Sequence, residues 1–178
     1  MYKLGPVGFR PIEESDLETL RLIHNDVSTL LQLGNADFIA PEQQVEWWKS
    51  LHRSRGQWRF SIVELASGAV IGMMRVGNIE MNNRNCEVGL DIHPDYRGRG
   101  LGAAAYEALL QYLFDHFNMH MVYLRVADFN GDGKRLYEKL HFVETGRYKE
   151  YFFRHGKYWD YVLMTLTVDD YRRHHGTV

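Results

Sequence analysis

The stretch VGLDIHPDYRGRGLG, residues 88–102, reads as a short apolar strand, a turn at Pro94, a glycine-rich loop and the start of a helix. A helix is predicted from 101 to about 117, because apolar residues recur at helical spacing and no Pro or Gly interrupts this stretch after Gly102. A loop of small residues that opens a helix leaves several backbone N–H groups without partners, and the helix dipole adds positive potential. The stretch therefore predicts an anion site, most naturally for a phosphate or pyrophosphate.

The glycine pattern RGRGLG at 97–102 fits neither of two common phosphate-binding loops. A Walker loop needs Gly-Lys-Ser/Thr, and a dinucleotide fingerprint needs an acidic residue about 20 positions further on. An ordinary strand-to-helix turn that uses Gly for positive φ is the alternative interpretation. The residues on both sides of the loop must decide between the two.

Composition limits the classes of function. The chain has 178 residues, so we expect one domain over 1–178, and the net charge of −2 without a like-charge run argues against a nucleic-acid partner. Cys86 is the only cysteine, which excludes an internal disulfide and favours the reducing cytoplasm. The start of the chain lacks a signal-peptide pattern, and no apolar run approaches the ~20 residues that span a bilayer, so no membrane partner is expected.

The pattern outside the opening stretch predicts a mixed fold. The expected elements are a strand ending at 9–12, a helix starting near Ser15 and Asp16, a loop or broken helix at 24–40, a helix from Pro41 to about His52, strands at 58–64, 70–76 and 121–126, a helix at 134–141, and a hairpin of 146–153 and 158–167. This order predicts an α/β (α+β) fold, with a mixed sheet and one parallel crossover near its middle. No histidine has metal-ligand spacing with a second ligand type, so no metal site is predicted; the pair His174 and His175 is expected to be a solvated end.

Two spaced motifs resemble the GNAT superfamily of acetyl-CoA-dependent N-acetyltransferases. Arg97-x-x-Gly100-x-Gly102 is similar to the family's Q/R-x-x-G-x-G/A pyrophosphate loop, and Asn130 with Tyr137 is similar to its N-x6-Y block. The resemblance covers nearly the whole chain. It is strongest to the branch of spermidine, ribosomal-protein N-terminal and amino-sugar acetyltransferases. It implies a mostly antiparallel twisted sheet, a splayed parallel strand pair in its middle, and helices on both faces.

The resemblance also implies a site for acetyl-CoA as cosubstrate. Tyr137 would be the general acid that protonates the leaving thiolate, with a core tyrosine as the alternative. Glu87 would take the amine proton or bind the amine, with a structural carboxylate as the alternative. The implied cofactor-binding residues are Leu90, Asp91, Ile92, Arg97, Gly98, Arg99, Gly100, Leu101, Gly102, Asn130 and Lys134.

Two residues depart from the family pattern. Gly133 stands where the family usually has Ala, and each Gly in a helix costs ~1 kcal/mol relative to Ala, so a loose first turn is expected. His141 stands where the family usually has a helix-ending Gly. Its backbone is expected to be strained if it adopts a positive φ.

The family resemblance places the acceptor pocket largely in 24–58. Aromatic and basic residues there would suit a nucleotide-linked amino sugar as the acceptor. Four carboxylates in the same segment keep a polyamine acceptor as an alternative. The further alternative is that the tryptophans are core residues and the charged side chains are solvated. The residues are Phe38, Trp47, Trp48 and Trp58; Lys49, His52, Arg53 and Arg55; and Asp26, Asp37, Glu42 and Glu46. The predicted function is acetylation of a small-molecule primary amine, with an amino sugar slightly ahead of a polyamine. The alternatives are acetylation of a protein N-terminus and a non-enzymatic CoA-binding module; a homodimer is possible.

Overall fold

The computed structural model describes residues 1–51, 53 and 56–176. The strands are β1 (Tyr2–Leu4), β2 (Val7–Pro11), β3 (Trp58–Glu64), β4 (Val70–Glu80), β5 (Asn85–Ile92), β6 (Met121–Ala127), β7 (Val143–Arg154) and β8 (Lys157–Thr167). The helices are α1 (Leu17–Asn25), α2 (Val27–Leu30), α3 (Pro41–Leu51), α4 (Leu101–Gln111), α5 (Gly131–Lys139) and α6 (Val168–His175).

The strands follow one another across the sheet in the order β1-β2-β3-β4-β5-β6-β8-β7. Strands β5 and β6 pair in parallel through 85–87 and 121–123. The pairs β1–β2, β2–β3, β3–β4, β6–β8 and β7–β8 are antiparallel. The predicted mixed, mostly antiparallel sheet with one parallel crossover is therefore confirmed.

Contacts divide the chain into two compact units, the first being Met1–Asn78 with Gly89–Leu109. Its α1 contributes Leu17, Leu20 and Ile23 to a buried apolar cluster. Both Trp47 and Trp48 of α3 pack against this cluster. Both tryptophans are partly buried, so they add to the packing around this cluster.

A polar network in the first unit precedes α1. Asp16 is 3% exposed, and its carboxylate accepts two hydrogen bonds from Arg10, at 2.6 and 2.9 Å. The Ser61 hydroxyl donates to the same carboxylate at 2.7 Å and the Glu13 N–H at 3.0 Å. Burial alone would raise the pKa of Asp16, but these donors outweigh it and hold the pKa below its usual value.

The second unit is Ile79–Val88 with Leu110–Val178. Its α5 ends in a Schellman motif, in which the N–H groups of His141 and Phe142 donate to the carbonyls of Glu138 and Tyr137 at 3.0 Å. His141 adopts a φ of +66°, so the condition under which strain was expected at this position is met. Its ring stacks on His174 of α6 with centroids 3.5 Å apart, while His174 and His175 are both exposed, as expected for this tail pair.

Several predicted boundaries shift. Helix α4 ends at Gln111 and continues as a π-helical turn, Tyr112–His116. The segment 24–40 contains the short helix α2, and neither β1 nor α6 was predicted. Helix α5 starts three residues before the predicted 134. The predicted end of α3 at His52 lies outside the described residues.

Candidate active site

The glycine-rich loop forms an open cradle of N–H groups in the first unit. Gly98 and Gly100 have φ of +71° and +76°, and both are exposed. The Ala104 N–H is the first to return to the loop, donating to the Gly100 carbonyl at 3.1 Å. Within the described part of the chain, the N–H groups of residues 98–103 have no hydrogen-bond acceptor. The entrance of α4 therefore has the donors that an anion requires.

Arg97 connects this loop to α2 through hydrogen bonds. Its guanidinium donates to the Ile92 carbonyl at 2.9 Å and to the hydroxyls of Ser28 and Thr29 at 2.7 and 2.5 Å. The Asp26 carboxylate holds the backbone N–H groups of the same two residues as the N-cap of α2. Since these three acceptors on the Arg97 guanidinium are neutral oxygens, its positive charge is not cancelled by them.

Arg99 is also held by specific contacts. It pairs with the Glu64 carboxylate at 2.5 Å, and its guanidinium lies over the Tyr96 ring, 5.0 Å from the centroid. Both loop arginines therefore have protein partners although both are exposed. Their direct contact with a phosphate stays a prediction.

Strand β5 carries the residues predicted to pair with a cofactor arm. Leu90 and Asp91 are partly exposed, whereas Ile92 is buried. A Cβ added at Gly89 would lie 2.6 Å from the Arg75 guanidinium, so the glycine leaves room for this side chain. Asp91 forms an ion pair with the same arginine at 3.1 Å.

Helix α5 presents the other predicted residues in the second unit. Asn130, Lys134 and Tyr137 stand at spacings of four and three, so they share one face of the helix. The Asn130 side chain caps the helix by accepting from the Gly133 N–H at 2.9 Å. A Cβ on Gly133 would lie 2.8 Å from that amide, which explains the departure from Ala in the family pattern.

The charged and aromatic members of this face differ in their contacts. The Lys134 ammonium pairs with the Asp128 carboxylate at 2.6 Å and holds the pKa of that carboxyl below its usual value. Tyr137 is half-buried, and its ring meets Phe142 edge-on with centroids 6.2 Å apart.

Glu87 forms a bidentate ion pair that sequence reasoning missed. Its two carboxylate oxygens accept from Arg125 at 2.8 and 2.9 Å, and the side chains are 19% and 31% exposed. The hydrogen bond raises the pKa of Arg125. The guanidinium also lies 5.4 Å from the centre of the Tyr161 ring. No local sequence pattern predicts this ion pair, because the register of the parallel strands β5 and β6 brings Glu87 beside β6.

The aromatic residues of the predicted acceptor segment 24–58 differ in burial. Trp47 and Trp48 are partly buried against the α1 cluster, and the Trp48 N–H donates to the Ile12 carbonyl at 3.2 Å. Phe38 is 64% exposed. The basic residues His52 and Arg55 lie outside the described residues.

Among the described residues, no group of three or more His, Cys, Asp or Glu side chains is placed to hold a metal ion. None of the helices in the same part of the chain is both long and apolar enough to cross a bilayer.

Comparison with known proteins identifies the family. Residues 7–143 match the acetyltransferase (GNAT) domain. The chain is 28% identical over 162 residues to spermidine N(1)-acetyltransferase of Vibrio cholerae, covering 91% of this chain and 93% of that protein. It is 26% identical over 171 residues to the Escherichia coli K12 enzyme of the same name, covering 96% and 91%.

A solved structure gives the same result. Vibrio cholerae spermidine N-acetyltransferase in complex with CoA and spermine superposes with a TM-score of 0.86 at 27% identity, covering 93% of this chain and 98% of that one. The strand order, the open loop before α4 and these matches agree with one another. This chain therefore belongs to the GNAT acetyltransferase family and is an acetyl-CoA-dependent N-acetyltransferase.

Proposed function

We propose that residues 98–103 bind the pyrophosphate of acetyl-CoA and that the chain transfers the acetyl group to a primary amine of a small molecule. The observation that carries the proposal is the set of unsatisfied N–H groups at the entrance of α4. These N–H groups lie on an exposed loop with two positive-φ glycines, Gly98 and Gly100. A Cβ added at either glycine would have no atom within 4 Å. Backbone donors and the helix dipole together favour a diphosphate.

The chemistry requires three further groups. The amine nitrogen attacks the thioester carbonyl carbon, the C–S bond breaks, and the sulfur leaves as a thiolate that needs a proton. We propose that the 90–92 backbone pairs with the pantetheine amides, and that a strand N–H there stabilises the developing oxyanion. Tyr137 would donate the proton to the thiolate, as the family pattern implies.

Glu87 has a more restricted role than a lone carboxylate. Because Arg125 donates to both of its oxygens, direct proton abstraction would require this ion pair to open or share an oxygen. We propose that Glu87 receives the amine proton through water or binds the amine, while the two hydrogen bonds from Arg125 orient the carboxylate.

The acceptor is open to more than one class of amine. The names of the relatives support a polyamine over an amino sugar. The packing of Trp47 and Trp48 against the α1 cluster weakens the aromatic part of the case for a nucleotide-linked amino sugar. Acetylation of a protein N-terminus stays an alternative, whereas membership of the family argues against a non-enzymatic CoA-binding module. The cytoplasmic location and a homodimer stay predictions.

One experiment tests the function. Thiol release from acetyl-CoA would be followed with spermidine, glucosamine, glucosamine 6-phosphate, free amino acids and an N-terminal peptide, and the acetylated product identified by mass spectrometry. We expect amine-dependent release with a small molecule. Release with the peptide alone would support the N-terminal alternative, and binding of acetyl-CoA without any transfer would contradict the proposal.

A substitution in the 98–103 loop is expected to change the KM for acetyl-CoA. Replacing Gly100 with Ala places a Cβ beside the proposed phosphate and strains a left-handed backbone by roughly 1–2 kcal/mol, so the KM for acetyl-CoA should rise about 10-fold or more. Gly68→Ala is the matched control, because Gly68 has a φ of +73° and equally open surroundings in the β3–β4 turn. Steady-state kinetics with acetyl-CoA as the varied substrate measures both. Equal KM values for the two variants would argue against the cradle.

A further inference from the structure

Two hydroxyl groups of α2 hold the guanidinium of the loop residue Arg97. One terminal nitrogen donates to Ser28 at 2.7 Å, and the other donates to Thr29 at 2.5 Å. The Nε–H donates to the Ile92 carbonyl at 2.9 Å. A guanidinium that is bound at all three nitrogens changes its direction only by breaking one of these hydrogen bonds. The side chain that directly precedes the 98–103 loop is therefore fixed by residues 69 and 68 positions earlier in the chain.

The Ser28 hydroxyl belongs to a hydrogen-bond chain that ends on the Asp26 carboxylate. Its O–H donates to Asp26, which also accepts the N–H groups of Ser28 and Thr29 as the N-cap of α2. The Ser28 oxygen is then left to accept from Arg97, and its bond to the carboxylate makes it a stronger acceptor. The pKa of Asp26 is lowered, mainly by the Ser28 hydrogen bond and to a smaller extent by the charge of Arg97. Asp26 therefore acts on Arg97 chiefly through Ser28.

The Thr29 hydroxyl is an internal point of attachment. Thr29 is 4% exposed, whereas Arg97 itself is exposed. A buried hydroxyl that lost its hydrogen bond would cost free energy, so this contact favours a single direction of the arginine. The end of the exposed side chain is thus held by the interior of the first unit, while its charge stays close to solvent.

The acceptors on Arg97 differ in kind from the partner of Arg99. Arg99 pairs with the Glu64 carboxylate at 2.5 Å, so part of its charge is offset. Two hydroxyls and a carbonyl instead orient Arg97 and leave its charge for an external anion. Each terminal nitrogen of a guanidinium also carries a second N–H, which the bonds to Ser28 and Thr29 do not use. Such a pair of donors matches two oxygens of a phosphate.

We propose that Ser28 and Thr29 are positioning residues for acetyl-CoA, because they orient Arg97 toward the diphosphate that residues 98–103 bind. This inference rests on the cofactor site proposed above and assigns to α2 a part in it. The two hydroxyls act through Arg97. They should therefore affect the affinity for the diphosphate and leave the chemistry at the thioester unchanged.

Thr29→Val tests the inference, because valine keeps the branched shape and removes the hydroxyl. We expect the KM and the Kd for acetyl-CoA to rise about 3–10-fold, with a kcat within about twofold of the parent value. Thr29→Ser keeps a hydroxyl and should retain most of the affinity. Adding Ser28→Ala to Thr29→Val should raise the KM further, toward that of Arg97→Gln. Steady-state kinetics with acetyl-CoA as the varied substrate and direct titration measure these effects.

Thr19→Val is the matched control in the same unit. Thr19 is partly buried on α1, and its hydroxyl forms no hydrogen bond with the described part of the chain. The variant therefore makes the same chemical change without touching Arg97. It should keep the parent KM for acetyl-CoA.

Two comparisons separate positioning from a general structural effect. In the Arg97→Gln background, Thr29→Val should leave the KM for acetyl-CoA unchanged, since the group that Thr29 orients is gone. S-acetylpantetheine lacks the diphosphate, so Thr29→Val should leave its kcat/KM at the parent value. If transfer from this short thioester is too slow to follow, the inhibition constants of CoA and pantetheine give the same comparison.

Three results would overturn the inference. They are a parent KM for acetyl-CoA in Thr29→Val, equal losses with acetyl-CoA and S-acetylpantetheine, and additive effects of Thr29→Val and Arg97→Gln. Each of them leaves acetyl transfer by the parent chain intact. A parent chain without amine-dependent thiol release would instead refute the proposed function, and titration of acetyl-CoA would still test the positioning role.

Discussion

Tyr137→Phe is expected to lower kcat by about 10²–10³-fold while the KM for acetyl-CoA changes by less than about twofold. The variant loses only the phenolic O–H, which the proposed mechanism uses to protonate the departing CoA sulfur. The ring would still meet Phe142 edge-on, and the position on α5 beside Asn130 and Lys134 would be unchanged. Single-turnover and steady-state thiol release, together with direct titration of acetyl-CoA, measure the two effects separately.

Tyr158→Phe provides the control for loss of a phenol. Tyr158 is 63% exposed on β8, and it should keep the parent kcat. If Tyr137→Phe has the parent kcat, another group supplies the proton. If it lowers the melting temperature and raises the KM together, Tyr137 is a structural residue of α5.

Asp16→Asn is expected to lower the free energy of unfolding at pH 7 by about 2–4 kcal/mol. The substitution removes the charge that two Arg10 bonds, the Ser61 hydroxyl and the Glu13 N–H stabilise. It leaves the partly buried Arg10 guanidinium with the exposed Glu13 carboxylate, 3.5 Å away, in place of the buried Asp16. In a chain of this size the melting temperature should fall by roughly 5–15 °C. Urea unfolding followed by circular dichroism measures the loss.

Glu18→Gln is the matched control for an acid–arginine pair in the same unit. Its partner is Arg21 at 2.7 Å, but the Glu18 side chain is 62% exposed, so solvent screens the pair and the loss should be much smaller than for Asp16→Asn. Equal losses in the two variants would contradict the assignment of the Asp16 network as the stronger contribution.

The Asp16 network also predicts a pH dependence. The native network lowers the pKa of Asp16, so the folded chain binds fewer protons than the unfolded chain near that pKa. Its contribution is present above the unfolded value of about 3.9 and is lost as the pH falls through the folded value. The difference in stability between the parent and Asp16→Asn should therefore narrow below about pH 4. A difference that widens on acidification would contradict this sign.

Local chemistry made much of the site predictable. The loop at 98–102 and the helix after it follow from glycines that tolerate positive φ and from an uninterrupted helical pattern. The spacing of Asn130 and Tyr137 placed both on one helical face, and the position of His141 at the helix end identified where a positive φ would cause strain. Each of these properties depends on residues within a few positions of one another.

Errors in the local prediction have local causes too. Because of the two glycines at the start of α5, the helix was predicted to begin later than it does. Asn130 caps the helix, and its side-chain amide lies 2.8 Å from where a Cβ at Gly133 would be. The three-residue β1 is too short for an alternating pattern. Its strand gains stability from pairing with β2, which no single segment reveals.

The sequence by itself thus determined the family, the mixed sheet, the glycine-rich loop before α4 and the helical face of Tyr137, because these follow from short-range backbone rules and motif spacing. Only the tertiary structure decided which charges meet. It paired Glu87 with Arg125 through β5–β6 register, set Arg59 opposite Arg75, and packed Trp47 and Trp48 against the α1 cluster. These contacts join residues far apart in the chain, and their formation depends on strand register and helix packing, which local composition does not specify.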